Sequence, residues 1–287
     1  MGVLEELHRK GLIKPPTFVL DTHYEVMMGS VAYGVSTDTS DIDIYGFCVP
    51  PKKMVFPYLA GEIDGFGRQK QRFEQFQQHH IACDEKNYDL SIFSIVKYFS
   101  LCMDNNPNMI DSLFVPEFCV LKSTKIGNMI RDNRRIFLHK GSWFKFKGYS
   151  YSQMRKMENK IPEGKRKEGV ERCGFDTKYA YHLVRLLNEV EMILTEHDLD
   201  LLRNREQLKS IRAGGWTLDQ VREYFYSKER ELETLYTQSV LRHSPDEGAI
   251  KALLLACLEE HYGSVDVVIE GEYERAVAEI KRIVSRL

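Results

Sequence analysis

The amino-acid sequence predicts an α+β fold, in which strands and helices share residues 1–122 and helices dominate residues 123–287. Short apolar segments in the first part, bounded by Gly, Pro and Asp, are typical of strands. Beyond residue 122 the apolar residues recur every three or four positions over long segments, as on the buried face of a helix. This change of pattern predicts two domains that meet at residues 122–123.

Each element of the first part follows from its local sequence. Ser94 is suited to cap a helix, and Pro107 cannot continue the helix before it. The amides of Asn105, Asn106 and Asn108 suit either helix capping or contact with a nucleotide base or sugar. Residues 68–80 fit either a hairpin or a helix. The predicted strands are residues 24–28, 41–49 and 87–93, and the predicted helices are residues 5–12, 95–103 and 109–114.

The second part is predicted to be helical, with one interruption. Asp176 is suited to cap a helix on which His182 and Arg185 lie side by side. This pair suits either triphosphate binding or an ordinary structural contact. Residues 158–172, rich in Gly, Lys and Glu around Pro162, are predicted as a mobile loop that closes over a substrate. The predicted helices are residues 124–138, 142–160, 176–196, 217–241, 247–261 and 271–286.

Overall composition predicts a soluble cytoplasmic protein and excludes several classes. Lys and Arg total 40 against 42 Asp and Glu, so the net charge does not indicate a nucleic-acid-binding protein. Six cysteines are scattered without a Cys-x-x-Cys pair, which is typical of reduced thiols rather than a zinc site or a disulfide framework. No apolar run is long enough to span a bilayer, and the N-terminus lacks the apolar core of a secretion signal.

The chemistry is concentrated in residues 28–46. Gly29 and Ser30 follow a predicted strand, where glycine permits a tight turn and Ser30 is expected to cap a short helix whose free amides favour phosphate. Asp41 and Asp43 lie on one face of the next strand, because side chains alternate. Two carboxylates this close repel each other unless a cation lies between them, and hard oxygen ligands suit Mg²⁺ or Mn²⁺. The alternative is a solvated, Asp-rich turn.

A third carboxylate is expected on a neighbouring strand, since two-metal sites use more than two acidic ligands. Asp89 is the best candidate because it alone lies within an alternating apolar segment, where it shares a face with Ser91. Its competitors are Asp64, in a glycine-rich segment, and Asp84 and Glu85, just before the strand. His79 and His80 suit either phosphate or metal contact or, more commonly, an exposed polar pair.

One segment is locally basic. Residues 141–185 contain eleven Lys or Arg against five Asp or Glu, with aromatic residues interleaved. Basic side chains neutralise phosphates and aromatic rings stack on unpaired bases, so this segment is a candidate RNA surface, although charged helix faces are usually only solvated. Its candidate contacts are Lys145, Lys147, Arg155 and Lys156.

These motifs together resemble the DNA polymerase beta superfamily of nucleotidyltransferases, and specifically a bacterial and phage branch associated with RNA ligases and RNA repair. The likeness extends from about residue 27 to residue 187. It is carried by Gly29 and Ser30 with Tyr33 and Gly34, Ser40 to Asp43 with Gly46, Asp89 to Ser94, Asn106 to Asn108 with Leu113 and Phe114, Asp176 to Lys178, His182, and Arg185 to Leu187.

The resemblance implies a catalytic domain with a small palm-like mixed sheet in residues 1–122 and a helical substrate-binding or scaffold domain in residues 123–287. It implies transfer of a nucleotidyl group from an NTP with release of pyrophosphate, two Mg²⁺ or Mn²⁺ ions, and Asp41, Asp43 and Asp89 as catalytic and metal-binding residues. The implied nucleotide-binding residues are Gly29, Ser30, Tyr33, Ser40, Lys178, His182 and Arg185.

The resemblance leaves the acceptor open. An RNA 3′ end, such as that of a tRNA, is favoured by the family and by the basic segment, and an RNA ligase or another repair enzyme is the expected partner in a bacterial or phage-infected cytoplasm. Nucleotidylation of a protein or a small molecule is the enzymatic alternative. A catalytically silent nucleotide-binding subunit of an RNA-repair complex is the other, which the complete set of three carboxylates disfavours.

Overall fold

A computed structural model describes residues 2–37, 40–56, 72–159 and 165–263 of the chain. The rival carboxylate Asp64 and the predicted helix at residues 271–286 lie outside these residues. The described part confirms the α+β class predicted from the sequence. No described helix is long and apolar enough to cross a lipid bilayer.

Five strands of the described residues form one mixed sheet with the order β3-β4-β2-β1-β5. Strand β2 runs parallel to β4, and every other neighbouring pair is antiparallel. The three strands predicted from the sequence are β1, β2 and β4. The segment for which the sequence fits either a hairpin or a helix contributes to β3, which forms an antiparallel hairpin with β4. The strands are β1 (Thr22–Met28), β2 (Ile42–Cys48), β3 (Gln75–Cys83), β4 (Lys86–Ser94) and β5 (Val120–Ser123).

The two faces of the sheet have separate apolar contacts, which sets the direction of each side chain in β2 and β4. Ile44 and Leu90 are buried against the N-terminal helix on one face, while Phe47 and Phe93 join the larger core on the other. Because strand side chains alternate, Asp43 and Asp89 face the side of the larger core.

The described helices pack against both faces of the sheet. Ser94, Asn106 and Asp176 cap helices with their side chains, so helix capping is the confirmed role of Asn106. The helices are α1 (Val3–Arg9), α2 (Gly29–Ala32), α3 (Lys52–Val55), α4 (Ile95–Met103), α5 (Pro107–Phe114), α6 (Lys125–Asp132), α7 (Ser142–Asn159), α8 (Lys165–Cys173), α9 (Thr177–Glu196), α10 (Arg205–Arg212), α11 (Leu218–Gln238) and α12 (Glu247–Tyr262).

Three details differ from the helices predicted from sequence. The predicted helix at residues 124–138 is divided, because α6 ends at Asp132 and a separate 3-10 turn covers Arg134–Phe137. The predicted mobile loop at residues 158–172 is wrong in its second half, where α8 is helical. Helix α10 was not predicted because only Leu208 and Ile211 are buried in its short, polar sequence.

Helix α9 lies at the centre of the larger core. It packs against α7, α10 and α11, and fourteen of its twenty residues are buried. The same apolar cluster continues into the sheet through Tyr24, Val26 and Phe47. Ser123, on the far side of the predicted domain boundary, pairs with Tyr24 in the sheet. The division into two domains stays a prediction.

Candidate active site

Asp43 and Asp89 lie side by side at one end of the sheet. They are direct register partners on the parallel strands β2 and β4, whose backbones are about 4.8 Å apart, as in any sheet. Asp41 immediately precedes β2 and is exposed. The rival carboxylate Asp84 lies in the β3–β4 turn and pairs with Lys10 instead. The prediction that Asp89 is the strand partner of Asp43 is therefore confirmed.

Gly29 is required where the first turn of α2 meets the Asp43 carboxylate. A Cβ atom built on Gly29 would lie 1.9 Å from Oδ2 of Asp43, far inside van der Waals contact. Gly29 also has a φ of +63°, which favours glycine. Helix α2 starts at Gly29 with Met28 in the capping position and no side-chain cap, so the expectation that Ser30 caps this helix is wrong.

The environment of Asp43 disfavours its charge. Burial, the neighbouring Asp89 and then Asp41 raise the pKa of Asp43 from the ordinary 3.8 to about 6, although Lys178 and His79 oppose the shift. A carboxylate in this state gains from any added positive charge, since the cation would relieve both the desolvation and the repulsion. The electrostatics at this end of the sheet therefore favour the approach of a positive charge.

Lys178 is near enough for its positive charge to act on Asp43, and the His79 ring lies beside Asp89. Lys178 lies in the first turn of α9, where the Asp176 side chain accepts a hydrogen bond from its backbone N–H at 2.9 Å. Its side chain is exposed and acts electrostatically on Asp43. Nucleotide binding by Lys178 stays a prediction, and its charge is near enough to act on Asp43.

An irregularity in β3 fixes the side chain of Asp89, the third carboxylate, on the neighbouring strand β4. The register of β3 against β4 shifts between Gln78 and Ile81, and His80 has a φ of +56° there. The His80 backbone N–H donates to Oδ1 of Asp89 at 2.8 Å, and Nδ1 of His79 lies 3.6 Å from the same oxygen. Bulges often direct side chains at functional sites. The sequence showed no signal for this one beyond the adjacent histidines.

Arg212 of α10 is a residue at the site that sequence reasoning missed. Its guanidinium donates to the Val35 carbonyl and to Oγ of Ser40, the latter at 3.3 Å. Ser40, a predicted nucleotide-binding residue, directly precedes Asp41. The only available signal was the position of Arg212 in the last turn of an unpredicted helix.

Two of the predicted nucleotide-binding residues are in the interior instead. Arg185 is 3% exposed, and its guanidinium contacts Asp111 at 2.5 Å and Glu189 at 2.8 Å. Tyr33 is also buried and donates its hydroxyl to Asp111 at 2.8 Å. Direct nucleotide contact by Arg185 and Tyr33 stays a prediction, and their burial and pairing below the surface disfavour it. His182 is half-buried and stacks on Tyr181, with ring centroids 4.2 Å apart.

The predicted RNA surface on α7 is only partly available. Lys147 lies between Glu229 and Glu233 of α11, at 2.8 and 3.0 Å, and Lys145 pairs with Asp104 at 2.6 Å. Arg155 and Lys156 are exposed further along the helix. Two of the four candidate RNA contacts are therefore paired with acidic residues from other segments.

The carboxylates have the chemistry for a divalent cation. Asp43 and Asp89 offer hard oxygen donors at one point, and the raised pKa of Asp43 shows charge that is not compensated. The side chains of the described residues do not, however, form a ready-made group of three metal ligands. One oxygen of Asp89 accepts a hydrogen bond from the backbone N–H of His80 in β3.

Comparison with known proteins gives a match to one protein family over most of the chain. The model of the RlaP family, described as the RNA repair pathway DNA polymerase beta family, matches residues 4–255. A 112-residue segment is 30% identical to an uncharacterized 38.9 kDa protein from the nrdC-mobD intergenic region of Enterobacteria phage T4. That segment covers 38% of this chain, and the chain spans 31% of the phage protein's length.

A solved structure also aligns along most of the chain. It is the crystal structure of a nucleotidyltransferase-like protein from Exiguobacterium sibiricum, which covers 98% of this chain and 89% of its own. The identity is 8% and the TM-score is 0.30.

Proposed function

The chain belongs to the RNA repair pathway DNA polymerase beta family, as its sequence motifs predict, and on that premise we propose that it transfers a nucleoside monophosphate from an NTP to the 3′ hydroxyl of an RNA. The observation that supports this most strongly is the Asp43–Asp89 pair on adjacent parallel strands, packed against Gly29 at the start of α2. A pair of carboxylates whose negative charge is not balanced within the protein is suited to bind a cation together with a phosphate.

The proposal includes divalent ions because carboxylate oxygens are ligands that such ions prefer. Asp43 and Asp89, with Asp41 at the edge of the strand, would hold Mg²⁺ or Mn²⁺. When bound, such ions supply charge neutralisation for the attacking and leaving oxygens of an in-line displacement. The β3 bulge contributes by fixing Asp89, since the His80 amide holds one carboxylate oxygen and restricts its rotation.

The residues of the chain account for binding and orientation. The missing Cβ of Gly29 makes room for the Asp43 carboxylate beside the first turn of α2, and Ser30 adds a hydroxyl at the same turn. Lys178, whose charge acts on Asp43, would pair with the phosphates. The acceptor hydroxyl forms a bond to the α-phosphorus while the bond to the β-phosphate oxygen breaks. Pyrophosphate leaves, and the hydroxyl proton passes to the solvent by way of Asp89.

RNA is the acceptor we propose, on the basis of the family and the exposed basic residues of α7. The test incubates the protein with each of four labelled NTPs, Mg²⁺ and total RNA, and then separates RNA, protein and small molecules. Label in RNA supports the proposal. Label in protein or a small molecule instead would show a different acceptor for the same chemistry. Nucleotide that binds without transfer would indicate a silent subunit.

Matched variants assign the activity to the site. Asp41→Ala combined with Asp43→Ala, and separately Asp89→Asn, should abolish transfer. Asp84→Asn is the control, because Asp84 is an acidic residue of the same hairpin that pairs with Lys10. It should transfer at the wild-type rate. Equal loss in the control would mean that the hairpin fold, rather than the carboxylate cluster, was being tested.

A further inference from the structure

Arg212 contacts two segments that are distant in the sequence. Its guanidinium donates to the Val35 carbonyl and to the Ser40 hydroxyl, which lie before and after Thr37 in the sequence. Its own carbonyl accepts a hydrogen bond from the hydroxyl of Thr177 at 3.2 Å. Thr177 is the first residue of α9 and the neighbour of Lys178. One residue therefore connects the turn that leads into Asp41 with the helix that presents Lys178.

The Arg212 side chain is committed to this turn. Its two terminal nitrogens make the contacts to Val35 and Ser40, and the guanidinium lies 5.6 Å from the centre of the buried Tyr181 ring. Within the described ranges no carboxylate lies at ion-pair distance from Arg212, whereas Arg203 and Arg205 nearby in the chain each have such a partner. An arginine that has no acidic partner and bonds to backbone and hydroxyl oxygens acts on the conformation of the turn.

The turn itself closes through Ser40. Oγ of Ser40 accepts a hydrogen bond from the Thr37 backbone N–H at 3.0 Å, and the Ser40 backbone N–H donates to the Thr37 carbonyl at 2.9 Å. The next residue along the chain is Asp41, followed by β2 with Asp43. Any shift of Ser40 is therefore transmitted within three residues to the carboxylate cluster.

We propose that Arg212 is a positioning residue, which clamps the turn at Val35, Thr37 and Ser40 so that Asp41 and Asp43 are preorganised for the NTP. The part of this inference that concerns nucleotide rests on the proposed function. The clamp uses the fork geometry of the guanidinium, which bridges two acceptors, and not its charge alone. Lysine has a single charged nitrogen and cannot reproduce the bridge.

The clamp has a distinct kinetic consequence. Without it, a smaller fraction of molecules has the turn in its competent arrangement, and the apparent affinity for the NTP falls by that fraction. Saturating NTP then restores the competent arrangement. Arg212→Ala should therefore raise the KM for the NTP roughly tenfold, the effect of losing one charge-assisted hydrogen bond, with kcat within about twofold of wild type.

The first test does not need activity. Amide hydrogen exchange of the free protein is measured for the peptide that contains Thr37 and Ser40. Arg212→Ala and Arg212→Lys should both speed exchange there, by roughly tenfold. Lys209→Ala is the matched control, since this substitution removes a positive charge from the same turn of α10. Among the described residues the ion pair of Lys209 is with Glu206 and not with the turn at Ser40. Its exchange should equal that of the wild type.

Two results would overturn the inference. If exchange in Arg212→Ala equals that of the wild type while KM rises, Arg212 contacts the phosphates and does not clamp the turn. If Arg212→Lys matches wild type within twofold in both exchange and KM, charge alone is sufficient. A wild-type protein that transfers no nucleotide would refute the proposed function, whereas the exchange experiment would still decide the clamp.

Discussion

Two clusters of carboxylates in this protein differ in how their negative charge is compensated. The first is Asp43 and Asp89, with Asp41, at the accessible end of the sheet. The second is Asp111 and Glu189, which are 0% and 2% exposed in the core between α5 and α9. Burial raises the pKa of Asp43, Asp111 and Glu189 above their ordinary values. Both clusters therefore contain acidic groups whose charge is unfavourable without a cation.

The interior cluster contains its own cation. Arg185 contacts Asp111 and Glu189 together, and its guanidinium lies 4.1 Å from the centre of the Tyr33 ring. A buried ion group of this kind is weak evidence for stability, but removing one member leaves an uncompensated charge. At the end of the sheet the exposed Lys178 and His79 only partly oppose the rise in the pKa of Asp43. The difference separates a structural cluster from one suited to an external cation.

The largest effect is expected where the external cation would bind. Asp43→Asn should reduce transfer by about four orders of magnitude or more, because it removes a ligand of the ions that stabilise the displacement. It should leave the free energy of unfolding equal or higher, since it removes a carboxylate that is repelled by Asp89. Radiolabel transfer and urea unfolding on the same sample measure both. A large loss of stability would remove the distinction between the clusters.

The interior cluster should show the reverse behaviour. Arg185→Met leaves Asp111 and Glu189 buried without a positive partner, which costs about 3–5 kcal/mol of unfolding free energy. Urea denaturation measures it. Arg135→Met is the matched control, because the exposed Arg135–Asp198 pair at 2.5 Å should contribute less than about 1 kcal/mol.

If Arg185→Met does not fold, Arg185→Lys provides the second measurement. It retains the charge but loses the guanidinium fork, and should fold with lower stability than wild type. A cost below about 1 kcal/mol for both variants would contradict the structural role of the interior cluster.

Divalent cations should act on one cluster alone. At a concentration about a hundred times their Kd, Mg²⁺ or Mn²⁺ should add about 2.7 kcal/mol to the unfolding free energy of the wild type. Asp43→Asn and Asp89→Asn should lose this increment, and Arg135→Met should retain it. Thermal unfolding at constant ionic strength measures the effect. An equal increment in all four proteins would indicate binding elsewhere.

The smallest effect is a dependence on pH. The pKa of Asp43 is about 6 in the folded protein against 3.8 ordinarily, so the folded state binds more protons between these values. Stability in the absence of metal should therefore fall as pH rises from about 4 to 6. The difference between wild type and Asp43→Asn isolates this contribution, about 1–2 kcal/mol after allowance for solvent screening. Unfolding curves at several pH values measure it, and parallel profiles would contradict the shift.

Local sequence patterns predicted much of the fold and the core of the site. Alternation along a strand places Asp43 and Asp89 on the faces where the structure has them, and the side-chain caps at Ser94 and Asp176 mark helix starts. Such features depend on residues within one turn or one strand of each other. They can therefore be predicted without knowledge of the rest of the chain.

Contacts between distant segments could not be predicted in this way. Arg185 looked like a ligand for phosphate because its partner Asp111 is 74 residues away in the sequence. Arg212 lies 172 residues from Ser40, and the bulge at His80 exists only because β3 pairs with β4. Whether a charged side chain is paired or available depends on the atoms that surround it in space. The sequence by itself determined which residues could carry charge and chemistry here, and only the tertiary structure decided which of those charges are neutralised internally and which are left for a ligand.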